Sequence, residues 1–132
     1  MIDSSVGDVT ITVPSQTQFI KTIRLAVSGV ASLNSFSVDL IDDLKVAVDE
    51  MCSTLIEVGD GSRLNLTISM SRPDVMRIAG WSGVGDPTQL DQARADLSQR
   101  ILDVMADDHD FTIENGVATF WCERSADPSD PK

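Results

Sequence analysis

The sequence predicts an α/β (α+β) two-layer sandwich: a mixed, largely antiparallel sheet with three helices on one face. Three observations carry this. Three segments each place apolar residues at helical spacing along a single stripe. The strand-like segments are mostly joined by hairpin signals, among them Arg72-Pro73-Asp74 and Asn115-Gly116, which favour antiparallel neighbours. Helices with one apolar stripe must bury it, and one sheet face can receive all three. The expected order is β-α-α-β-β-α-β-β.

Asp8 to Val13 alternates as a strand that Pro14 ends. Ser15 and Gln18 form a capping-box signature, S-x-x-Q, opening a helix with the stripe Phe19, Ile23, Ala26, Val27 and Val30. After a turn at Asn34, Ser37 is placed to cap a second helix. Phe36 and Ile41 stand at staple positions, and Asp39 lies in the first turn, where the helix dipole favours an acid. Its seam is Leu40, Leu44, Val48, Met51 and Leu55, and Gly59 is expected to end it in the left-handed conformation. Leu64, Leu66, Ile68 and Met70 alternate with Asn65, Thr67 and Ser69, and Val75 to Trp81 returns as the partner strand. A glycine-bearing loop, Ser82 to Gly85, leads to Asp86 as N-cap and Pro87 at the first position of a third helix. The seam of that helix is Leu90, Leu97, Ile101 and Val104. Phe111 to Glu114 and Val117 to Cys122 close the chain as a hairpin. One domain is expected over residues 1–124, followed by a loose polar tail from Ser125 to Lys132.

A chain of 132 residues that is 42% hydrophobic suits a single domain with a real core. No apolar run approaches the ~18–20 residues that span a bilayer. Met1 to Val13 lacks the basic-then-apolar pattern of a secretory signal. A cytoplasmic location without membrane contact is expected. Acids outnumber bases 21 to 10, a net charge of −11. Such a chain is repelled by phosphate backbones, so no direct nucleic-acid binding is expected. A basic protein surface would attract it, although solubility alone also accounts for acidity. Cys52 and Cys122 read as reduced, buried small hydrophobes. With one histidine, His109, and no C-x-x-C spacing, neither a zinc pattern nor a Ser-His-Asp constellation is present.

On the second helix Asp43, Ala47, Glu50 and Thr54 share one flank beside the seam. A carboxylate there is only partly solvated and suits general-base work; a surface helix with its acids in water has the same pattern. The glycines after the third strand would let backbone approach an anion at a helix N-terminus. Neither a Walker loop nor a dinucleotide fingerprint accompanies them.

The run LKVAVDEMCSTLIE resembles the N-box helix of the GHKL (Bergerat-fold, histidine-kinase-like) ATPase superfamily, in its branch of anti-sigma factors and serine-protein kinases. Its V-D-E-x-C is similar to actinobacterial members. MRIAGWSGVGDP resembles the next motif of that branch, D-x-G-x-G followed by Asp-Pro, with Gly83, Gly85 and Asp86-Pro87 matching. The element order agrees over most of Asp8 to Arg124. The resemblance implies a homodimeric anti-sigma factor of a stress response, which sequesters an RNA polymerase sigma factor and is relieved by an anti-anti-sigma protein. Lys21 and Arg24, on the first helix, would be partner-binding cations; snorkelling surface cations are the alternative. The resemblance also implies a nucleotide site in which Glu50 is the catalytic base. Thr54, Trp81, Gly83 and Gly85 would line ATP, with Thr54 at the magnesium-ligand position.

The chain departs from that pattern at several points. Thr54 replaces the metal-binding asparagine. Trp81, or Ser82 after a one-residue slip, replaces the adenine-reading aspartate, and Arg94 to Gln99 carries no second glycine motif. The expectation is an anti-sigma factor with a degenerate nucleotide site and no required cofactor. The alternative is an active ATP- and magnesium-dependent serine-protein kinase acting on the anti-anti-sigma protein.

Overall fold

Alternation in the strands and single stripes on the helices sort the chain into a sheet and a helical layer. The structure, a computed structural model, describes residues 8–126. In chain order the elements are β1 (Val9–Pro14), α1 (Ile20–Leu33), α2 (Val38–Val58), β2 (Arg63–Arg72), β3 (Val75–Gly83), α3 (Gln92–Met105), β4 (Asp108–Glu114) and β5 (Val117–Ser125). The five strands lie in the order β1-β2-β3-β5-β4, and every pairing is antiparallel. The expected sheet is thus present without a parallel pair. Two of its four neighbour contacts are direct hairpins, β2 with β3 and β4 with β5. In the second hairpin Asn115 and Gly116 both have positive φ, 54° and 77°, which asparagine and glycine adopt at little cost.

One sheet face contributes Val13, Leu64, Leu66, Ile68, Met76, Ile78, Ala118, Phe120 and Cys122 to a core completed by the helices. α2 lies at its centre, against α1, α3, β3 and β5. Its seam Leu40, Leu44, Val48, Met51 and Leu55 is buried as the spacing requires. The Ser37 hydroxyl accepts from Leu40 N at 3.2 Å, a side-chain cap that satisfies one open amide of the first turn.

Five local expectations are corrected. Ser15 and Gln18 form no capping box: a 3-10 turn at Thr17–Phe19 comes first, its N-cap Gln16 makes no side-chain cap bond, and α1 starts at Ile20. Gly59 is extended (φ −73°, ψ 167°) instead of left-handed, because it is drawn into a bridge with Val84. Asp86 and Pro87 open only the 3-10 turn Pro87–Gln89; α3 starts later, capped by Asp91, whose carboxylate accepts from Ala93 N and Arg94 N. The α3 seam is also different: Ser98 and Leu102 are buried, while Leu97 and Val104 face outward. Ser125, expected in the tail, ends β5, and Ala126 N donates to Asp74 O at 2.7 Å. The rest of the expected tail, and residues 1–7, lie outside the described residues. No helix among the described residues is long and apolar enough to cross a membrane.

Candidate functional site at the α2–α3 seam

α2 turns toward α3 a flank on which Ala47, Glu50, Thr54 and Glu57 follow at helical spacing. Ala47 and Thr54 are buried, the latter 3% exposed, and Glu50 and Glu57 are half-buried. α3 crosses in the opposite sense. Ser98, 1% exposed, donates its hydroxyl to Glu50 Oε1 at 2.7 Å, and Arg94, one turn earlier, reaches to 3.9 Å from Glu57 Oε1. Glu50 therefore has one oxygen held by a buried hydroxyl, a charge-assisted bond of the stronger class.

Asp43, on the same flank one turn before Ala47, is held differently. Arg124 donates from Nη2 to Asp43 Oδ2 at 2.9 Å and from Nη1 to Asp107 Oδ1 at 3.3 Å. Asp107 Oδ2 accepts from Ser125 N at 2.7 Å. This clasp ties α2 to β5 and to the α3–β4 connection. On the far flank burial pushes the Asp49 carboxyl above its usual range; Arg24 opposes this from 3.0 Å, and the Glu50 charge adds to the rise. Arg24 is thus paired with α2, whereas Lys21 is exposed.

The glycine segment is built into the fold. β3 runs through Gly83, so Ser82 and Gly83 belong to a strand and not to a loop. Met76, Ile78, Gly80 and Ser82 face the helices and are buried, which turns Trp81 to the opposite face of the sheet. The Ser82 hydroxyl donates to Leu55 O at 3.2 Å. A Cβ at position 80 would come within 2.8 Å of Leu55 Cδ1, so Gly80 makes room for the leucine. Beyond it the chain closes on the end of α2: Asp60 N donates to Gly83 O at 2.8 Å and Gly85 N to Val58 O at 3.0 Å. A Cβ at Gly83 would lie 2.5 Å from Asp60 Oδ2, and one at Gly85 2.8 Å from Gly59 O. Close approach within the protein accounts for both glycines. The hydroxyl and backbone amide of Ser62 hold the Asp60 carboxyl below its usual range.

The structure therefore brings Glu50 and Thr54 together under α3 and Gly83 and Gly85 together at the end of α2. Trp81, Lys21 and Arg24 lie elsewhere. The sequence reading missed Ser98 and Arg124. Ser98 could have been found from its place four residues before Leu102; Arg124 left no local signal, because its partners are distant in sequence. Among the described residues no group of three His, Cys, Asp or Glu side chains could hold a metal ion.

The same fold occurs in solved structures. The chain superposes on the RsbU and RsbW domains of Rv1364c from Mycobacterium tuberculosis with a TM-score of 0.71 at 13% identity, covering 91% of this chain and 32% of that one. A chain of the SiaB-SiaC complex from Pseudomonas aeruginosa gives 0.61 at 11% identity, with 88% of each covered. Identities this low speak to fold alone. In sequence, the chain is similar to the serine-protein kinase RsbW. It is 44% identical over 45 residues, 34% of its length, to that of Bacillus subtilis (strain 168). It is 39% identical over 46 residues to that of Halalkalibacterium halodurans. The matched stretch spans 28% of the length of each relative. No family model matches the chain.

Proposed function

We propose that this chain is a cytoplasmic, homodimeric anti-sigma factor of the GHKL superfamily, which sequesters a sigma factor and is relieved by an anti-anti-sigma protein without using nucleotide. Similarity to RsbW supports the family reading. One observation carries the reading of the nucleotide site: Glu50, Thr54, Gly83 and Gly85 are each packed against other parts of the chain. Glu50 holds Ser98, Thr54 lies under α3, Leu55 fills the space left by Gly80, and Asp60 abuts Gly83. The Asp60 carboxylate beside Gly83 repels a phosphate, and the Thr54 hydroxyl, 3% exposed, is closed off from a hydrated magnesium ion. These residues do not fit a magnesium-bound nucleotide.

The test is calorimetric titration with ATP and magnesium, beside binding of the cognate sigma and anti-anti-sigma proteins. The expected result is no saturation by ATP up to about 1 mM, the upper end of working substrate constants. The sigma complex should weaken as salt rises and weaken further in Arg24→Glu. Micromolar ATP affinity, or phosphate transfer to the anti-anti-sigma protein that Glu50→Ala abolishes, would establish the kinase instead.

A further inference from the structure

α1 turns an uncharged face away from the core. Thr22, Leu25, Gly29, Ser32 and Leu33 are all exposed along it, and Ile20–Leu33 contains no acid. Leu25 is 69% exposed, Leu33 77%, and Val38, across the turn into α2, 74%. No other large hydrophobic residue among those described is as exposed as these three. The outer stripe of a surface helix ordinarily carries charge. Gly29 is a second departure, since glycine is, after proline, the least favourable residue inside a helix. A Cβ at Gly29 would meet nothing within 4 Å, so packing within the chain does not call for the glycine. Lys21 precedes this face and Asp39 follows it, and neither takes part in an ion pair among the described residues.

We propose that this face is the contact between two copies of the chain, with α1 packed antiparallel on α1 of the other copy and the two-fold axis beside Gly29. The inference rests on the homodimer of the proposed function and assigns its interface. The face is self-complementary under that axis. Leu25 and Leu33 stand four residues before and four after Gly29, so Leu25 of each copy comes level with Leu33 of the other. The two glycines meet at the crossing, where the missing side chains let the backbones approach. Lys21, further toward the start of α1, comes to the turn that follows α1 in the other copy, where Asp39 opens α2, so the two unpaired charges meet their opposites. A parallel pairing would set Lys21 against Lys21. Net charge also selects this face. Two chains of −11 repel one another, and the other helices expose acids, Asp39 and Asp42 on α2 and Asp96 and Asp103 on α3. α1 alone of the three helices has no acid to set against a second copy, and none to offer a basic partner.

Sedimentation velocity of the full chain between about 1 and 200 μM should show a monomer–dimer equilibrium with a micromolar dissociation constant. Leu25→Asp should weaken the dimer at least about tenfold. It should leave the thermal midpoint in dilute solution unchanged, because Leu25 is exposed. Lys21→Asp and Asp39→Lys should each weaken the dimer, and the two together should restore it, as charges exchanged across one contact do. Cys52 and Cys122 are buried, so Gly29→Cys provides one exposed thiol among the described residues. Oxidised glutathione should then link two copies through it, and should not link them in Leu97→Cys on α3. A dimer that Leu25→Asp leaves intact, failure of the charge exchange to restore it, or Gly29→Cys chains that do not link would overturn this interface while the homodimer stands. A monomer at every concentration would remove the homodimer itself, and this inference with it.

Discussion

α2 and α3 lie side by side, yet they are held by different means. α2 is enclosed by α1, α3 and the sheet, and its apolar residues are buried around much of its circumference. α3 touches α2 and β4 along one side only, and of its fourteen residues just Ser98 and Leu102 are buried. The central helix is fixed chiefly by packing, with the Arg124 clasp on Asp43 at its edge. The flanking helix is held by Leu102, which enters the core, and by a few polar contacts, Ser98 to Glu50 and Asp103 to His109, while Leu97 and Val104 stay exposed. A helix at the margin of a layer can leave an apolar face to solvent, and that face is then available to a partner.

The largest difference between the two helices should appear on truncating one leucine in each. Leu44, fully buried on α2, should lose about 2–5 kcal/mol of stability in Leu44→Ala, the transfer and cavity terms adding. Leu97→Ala on α3 should stay within about 0.5 kcal/mol. Urea unfolding measures both. A loss in Leu97→Ala comparable with that in Leu44→Ala would mean that α3 packs by the face read from its sequence.

A smaller effect should follow from the enclosure of α2 as pH rises. Cys52 on α2 and Cys122 on β5 are both buried, and burial pushes each thiol from 9.0 up to about 12. The folded-state values are raised, so this contribution to stability is full below pH 9 and is lost as pH rises toward 12, because the unfolded chain releases the protons first. At pH 10, one unit above the unfolded value, the loss should be roughly 1 kcal/mol per thiol. Denaturant midpoints across that range measure it, with Cys52→Ala and Cys122→Ala as references. Both thiols should also resist a disulfide reagent in the native state; rapid labelling would contradict the enclosure.

The same contrast explains what the sequence made legible. α2 could be read residue by residue because a helix enclosed on most sides has one way to place Leu40, Leu44, Val48, Met51 and Leu55. The hairpin at Asn115-Gly116 was legible because its backbone angles demand those residue types. The α3 seam was not, because periodicity finds the apolar face of a helix without saying which neighbour is there to cover it. The glycines were ambiguous for a related reason. Gly83 and Gly85 allow close approach, but the sequence does not say whether a ligand or the end of α2 approaches, and here it is Gly59 and Asp60. Glu50 was found from its flank; its partner Ser98 lies 48 residues away, and no local pattern joins them.

The smallest expected effect bears most directly on how α3 is held. Ser98→Ala removes the hydroxyl that engages Glu50 Oε1 while leaving a side chain that fits the same space. Glu50 is half-buried, so water can replace part of the lost bond, and the destabilisation should be about 1 kcal/mol, below the ~1.5–3 kcal/mol of a hydrogen bond to a charged group that water cannot reach. The distribution of that loss is more informative than its size. If Ser98 orients a helix that packing does not fix, amide exchange should quicken along α3 and leave α2 and β3 unchanged, a local opening and not a global one. Ser98→Thr keeps the hydroxyl but adds a methyl group in a site that is 1% exposed, so it should also loosen α3, by crowding instead of by a lost bond. Uniform quickening across the whole chain in Ser98→Ala would show that α3 is part of the same cooperative unit as α2, and the distinction between an enclosed helix and a clasped one would fail.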